Sequence, residues 1–156
     1  MATDFRQLEE FRDKIQALAD GKSSKFCDDC TKELAGRLLA KVIKRTPVGV
    51  YNSPVEFTTK TGKKVSFTPK TGMVGGTLRR GWTAEPINVM GNKHRIDIIN
   101  QVFYASYVES GHRKINNKGW VKGHFMMTDS VKELDAQAGT IVQKKLDKFL
   151  RDEGLG

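Results

Sequence analysis

A 3.6-residue apolar rhythm runs from about Ser24 to Arg45, carried by Phe26, Leu34, Leu38, Val42 and Ile43, and Thr46-Pro47 stops it. A proline pushes the residue before it out of the helical region, so the helix ends there. At ~1.5 Å per residue it spans roughly 30 Å, the width of a small domain, which makes it the spine. A second run places Phe5, Leu8, Phe11 (or Arg12), Ile15 and Leu18 at three- and four-residue steps between Asp4 and Ala19, with Thr3 or Asp4 as its cap and Gly21 as its end. From Phe125 the rhythm returns through Val131, Leu134, Ile141, Leu146 and Leu150, predicting one long terminal helix in which Gly139 is a weak point.

Between these helices the period changes. Val55–Thr59 and Val65–Thr68 alternate apolar and polar residues around Lys60-Thr61-Gly62-Lys63, a β-hairpin signature. Gly72, Gly75 and Gly76 make the next segment flexible, and Thr77–Trp82 leads into more strand. Thr83–Val89 and Arg95–Asn100 pair across Met90-Gly91-Asn92-Lys93, and Tyr104–Glu109 forms a short helix ended by Gly111. His112–Lys122 reads as a Gly/Asn/Lys loop containing Trp120. The expected class is α+β: an antiparallel sheet of two hairpins packed by N-terminal helices and a long C-terminal helix, in one domain over residues 1–156.

Composition narrows the function classes. The chain has 156 residues with 38% hydrophobic and 29% charged, too apolar for a disordered chain and too interrupted for a membrane one. No stretch approaches the ~20 apolar residues of a spanning helix. The N-terminus lacks the basic start and apolar run of a signal peptide, so the expectation is synthesis in a cytoplasm and no membrane contact. The formal net charge is +9, and residues 22–80 hold 13 Lys and Arg against four Asp and Glu, while residues 1–21 hold three against five. Such a field steers a chain towards nucleic acid or an acidic protein surface.

Catalytic and metal signals are thin. Cys27-Asp28-Asp29-Cys30 has the spacing of a metal knuckle or redox pair, but there is no second cysteine pair, and two aspartates oppose a low thiolate pKa. His94, His112 and His124 are scattered. Glu109 and His112 stand three apart beside Ser106 and Ser110, with no third group and no nucleophile elbow. Gly72…Gly75-Gly76-Thr77 lacks the Gly-Lys-Thr/Ser ending of a phosphate loop. The expectation is no catalytic residue, no metal and no cofactor. For nucleic acid the case is the basic middle with Phe57, Phe67 and Trp82 interleaved, against which Phe57 and Phe67 alternate like core-facing strand residues.

Three segments together carry a resemblance. Arg45-Thr46-Pro47-Val48 closing a helix, Gly76-Thr77-Leu78-Arg79-Arg80-Gly81-Trp82 opening a strand, and Tyr104-Ala105-Ser106-Tyr107-Val108-Glu109-Ser110-Gly111-His112 resemble the small neck and tail-completion proteins of tailed bacteriophages and phage-tail-like particles. Two departures stand out: residues 49–75 insert a hairpin arm and Gly-rich loop, and the usual Pro-Phe start of the last helix is His124-Phe125, with Phe125 as the apolar anchor. The resemblance implies a non-enzymatic structural virion protein at the head–tail connection, assembled as a ring, six-fold by analogy with tail tubes. It implies contact with adjacent neck, tail-terminator or tail-tube and sheath proteins, with non-specific DNA contact allowed by the charge. A tail-terminator role in the same particle is the alternative, and a basic nucleic-acid-binding module the alternative of another class. Pro47, Leu78, Trp82, Tyr104, Tyr107, Val108 and Gly111 are expected to serve packing, at least half of the apolar ones in the core. Lys60, Lys63, Lys64, Arg79, Arg80, Glu109 and His112 are the expected interface residues. Arg79 or Arg80 either pairs with Glu109 within the chain or does so across a subunit boundary.

Overall fold

The computed structural model describes residues 6–51, 54–68, 74–115 and 118–156. Helix α1 is Arg6–Ala17; its expected caps and Phe5 lie outside the described residues. A kink over Leu18–Lys22 turns on Gly21 (φ 124°), a left-handed conformation that glycine adopts without cost. The spine α2, Ser23–Arg45, follows, and Thr46 leaves it at ψ 123°, as the residue before a proline must.

The terminal helix α5 is Met126–Asp152 and runs through Gly139 without a break. It lies antiparallel along α2. Near one end Phe26 stacks against Phe149 with ring centroids 4.9 Å apart, and Lys22 pairs with Glu153. In the middle Lys145 pairs with Glu33 at 2.9 Å. At the other end Lys41 and Arg45, one turn apart, both donate to Glu133 and hold its pKa down to about 2. Exposed pairs of this kind contribute little each, so the helices are held mainly by the apolar stripe between them.

The strands form separate two-stranded antiparallel ladders among the described residues, rather than one sheet. β1 (Val55–Thr58) pairs with β2 (Lys64–Phe67), the expected first hairpin, with Val55 opposite Phe67. The second is one long hairpin in two parts: β3 (Trp82–Ala84) pairs with β6 (Ile98–Asn100), and β4 (Asn88–Met90) with β5 (Lys93–Arg95). His94 fastens it to α2 through a 2.6 Å hydrogen bond between Nδ1 and Asp28 Oδ1. Between the hairpins lies α3, Thr77–Arg80, where the sequence was expected to lead into strand; Gly76 at φ 92° turns the chain into it. Helix α4 (Ala105–Ser110) is followed by a third hairpin, β7 (Gly111–Arg113) with β8 (Trp120–Lys122), where a loop was expected. Its strands are three residues each, too short for alternation to reveal them.

The core is small. Among the described residues Cys30, Val42, Leu78 and Met126 are its buried apolar side chains, joined by Thr46 and Ser130. Met126 anchors the start of α5; Phe125, expected in that role, is exposed and takes the left-handed conformation (φ 49°) at the turn into the helix. Phe67, expected to face a core, is half exposed.

Candidate functional site

The three segments that carried the resemblance meet at the end of the spine. Thr46 is fully buried there, and its polar atoms are all used. Its hydroxyl donates to the Val42 carbonyl at 2.7 Å and accepts the Trp82 indole N–H at 2.8 Å. Its carbonyl accepts two bonds from the Arg79 guanidinium, at 3.1 and 2.7 Å. A buried hydroxyl is tolerated when it is satisfied in this way. One residue thus ties the end of α2 to α3 and to β3. Asn100 completes the junction: its amide donates to the Leu78 carbonyl at 2.8 Å and its oxygen accepts the Val102 amide at 3.0 Å.

Beside this junction the two stems of the 49–75 insertion come together. A Cβ at Gly75 would lie 1.9 Å from the Gly49 carbonyl oxygen, so only glycine permits the approach. Arg80 donates to the Gly75 carbonyl at 3.2 Å and closes the neck. A cavity of about 310 Å³ opens next to it, lined by Pro47, Val48, Val74, Leu78, Tyr104 and Val108 among others, with no carboxylate, lysine or arginine in its lining. Tyr51, Thr77 and His124 add polar atoms to this lining, and a recess of this kind can seat a side chain.

Glu109 joins α4 to α5. Its Oε2 accepts the Met127 amide at 2.9 Å, and its Oε1 accepts the Thr128 amide at 2.9 Å and the Thr128 hydroxyl at 2.8 Å. Burial alone would raise its pKa, but these donors at a helix N-terminus hold it below the ordinary carboxylate value. Both oxygens are therefore committed. Glu109 pairs with neither Arg79 nor Arg80, and the Glu109–His112 acid/base pair is not formed. His112 is exposed on β7 with its ring edge-on to Tyr107, centroids 6.0 Å apart.

The remaining expected residues separate. Lys60, Lys63 and Lys64 lie exposed on the β1–β2 hairpin, far along the chain from the junction. Leu78 is buried, and Trp82, Tyr104 and Val108 are half-buried, whereas Tyr107 is exposed and does not belong to the core. Gly111 is buried at φ 83°, where a Cβ would lie 2.3 Å from the Val121 carbonyl oxygen. Cys30 is buried and Cys27 half-buried; burial pushes the Cys30 thiol up against the pull of Lys145. Among the described residues no three His, Cys, Asp or Glu side chains gather as metal ligands, and no helix is long and apolar enough to cross a membrane.

Sequence reasoning passed over Asn100, the hub role of Thr46, and the basic hairpin β7–β8. The last had a signal: His112–Lys122 holds Arg113, Lys114, Lys118 and Lys122 and no acid.

No curated protein and no solved structure matches the chain. A family model does: the one described as "Bacteriophage HK97-gp10, putative tail-component" matches residues 9–111, which takes in α2, the insertion, the Thr46 junction and α4. The match extends over well more than half of the chain, and the protein belongs to the HK97 gp10-like family of bacteriophage tail components.

Proposed function

We propose that this tail component is a structural subunit of the virion neck or tail top, made in the bacterial host cytoplasm and assembled there as a ring, six-fold by analogy with tail tubes. The observation that carries the reading is unfinished burial. Among the described residues Leu8 and Phe11 on α1, Val50 and Val74 beside the arm, and Phe103 before α4 are half exposed or more, while four apolar side chains are buried. Apolar side chains left open in this way fit a subunit whose faces are covered by neighbours. A ring needs head-to-tail contacts between unlike faces, and the 49–75 insertion, pinched at Gly49 and Gly75, serves as an arm whose open strand edges reach a neighbouring subunit. The exposed Lys60, Lys63 and Lys64 then meet an acidic ring surface of an adjacent neck, terminator or tube protein.

Electron microscopy of purified parent particles, with this protein located by a tag, tests the reading. A ring of density between head and tail tube is expected. Density as the terminal ring of the tube itself would assign the tail-terminator role, and absence from mature particles would overturn the structural assignment.

A further inference from the structure

The third hairpin presents a face that the tail-component role does not use. The β7–β8 register sets Arg113 opposite Trp120 and Gly111 opposite Lys122. Opposed residues share a face, and so do residues two apart on one strand. Arg113, Trp120 and Lys122 therefore stand together on one side of the ribbon, with Gly111 supplying no side chain there. Trp120 lies across that gap: its Nε1 is 2.7 Å from where a Gly111 Cβ would sit. Trp120 is 60% exposed. Arg113, Lys114 and Lys122 are exposed and enter no ion pair among the described residues. No Asp or Glu occurs between Ser110 and Gly123, and the nearest acid, Glu109, is turned into the first turn of α5.

We propose that this face of the β7–β8 ribbon is a nucleic-acid contact, with Arg113 and Lys122 on phosphates and Trp120 as a stacking platform. Unpaired cations flanking an exposed indole are the elements of backbone binding with sequence-tolerant stacking. A two-stranded ribbon also fits the ~12 Å width of the duplex major groove. An acidic protein would be met equally well by the cations, but it would leave the flat exposed indole without a recess to fill, and the chain's pI of about 9.6 supports the polyanion. The arm differs: its three lysines share their hairpin with Glu56. The inference concerns the isolated chain and does not depend on where in the particle the subunit sits.

The test is a fluorescence titration of the full chain with a duplex and with a single-stranded oligonucleotide across a salt series. Three variants accompany it: Arg113→Gln/Lys122→Gln, Trp120→Ala, and Lys60→Gln/Lys63→Gln/Lys64→Gln. Each alters exposed residues, and circular dichroism checks that the fold is kept. The hairpin double variant is expected to flatten the log–log salt slope by about 2 and to weaken binding about tenfold, roughly one counterion per lost phosphate contact. Trp120→Ala is expected to weaken single-strand binding about tenfold and duplex binding less. The arm variant is expected to bind as wild type does. A hairpin double variant with an unchanged slope overturns the proposal, as does a wild-type chain that fails to bind either probe at low salt. Normal DNA binding by that variant, together with loss of its incorporation into particles, would assign the ribbon to a protein partner instead.

Discussion

Thr46 shows how much one polar residue can hold. Its backbone leaves the helix because Pro47 follows, which places its hydroxyl and carbonyl at the meeting point of α2, α3 and β3. The sequence marks it only as the residue before a proline; that Trp82 and Arg79 would both seek it required the fold. Replacing Thr46 with Val keeps the shape and removes the hydroxyl, leaving the Trp82 indole N–H without its acceptor in a half-buried place. Such an orphaned donor costs about 1–3 kcal/mol, and for a domain of this size each kcal/mol lowers Tm by about 2–4 °C. Thermal unfolding of Thr46→Val, Trp82→Phe and the double variant checks this. The double variant is expected to be little worse than either single, because the two partners leave together. Strictly additive losses would show that the bond carries no coupling.

The long elements were legible because their signals are local. Periodicity over 23 residues and a following proline fix α2, and the same rhythm fixes α5. What escaped was decided by tertiary contacts. The four-residue α3 and the three-residue strands of the third hairpin are too short to carry a period. The start of α5 was placed on Phe125 by hydrophobicity, whereas the packing selects Met126 and turns Phe125 outward. Of the candidate site, the converging motif segments were visible, but the role of Glu109 was not, since an acid can answer an arginine or a helix end with equal ease. The structure gives it the end of α5. Its folded pKa lies below the ordinary 4.5, so its contribution is fully present above about pH 4.5 and is lost as pH falls through the folded value. Glu109→Gln is expected to cost about 0.5–2 kcal/mol at pH 7, the range of a lost cap and its charge–dipole attraction. Measured by urea unfolding, the gap from wild type should hold from pH 7 to 5, narrow as pH falls below the ordinary 4.5, and close once pH has passed through the lowered folded value, where the wild-type carboxyl is itself protonated. A gap that stays open in acid would mean that Glu109 acts by shape alone.

At the scale of the molecule the thin core and the wide surface are one fact. Among the described residues four apolar side chains are buried, while many large apolar ones stand open. Apolar burial is the main favourable term in folding, so a thin core leaves part of that term unused in the single chain. The open residues are identifiable: Leu8, Phe11 and Ile15 form an apolar stripe on α1 that is about half exposed or more, and Val50, Val74 and Phe103 stand open around the arm and α4. The net charge of +9, with 29% of the chain charged, opposes unspecific association through such residues. If copies of the chain complete one another's burial, association and stability are linked, and Tm must depend on concentration. Differential scanning fluorimetry from about 1 to 100 μM is expected to show Tm rising by several degrees for the wild-type chain. Phe11→Glu/Ile15→Glu, which places charge on the α1 stripe without entering the core, is expected to remove that rise while leaving the low-concentration Tm nearly unchanged. A wild-type Tm that stays flat over this range would refute self-completion. The α1 stripe would then be covered by a different protein of the tail, and the proposed self-assembly would lose its main apolar contact.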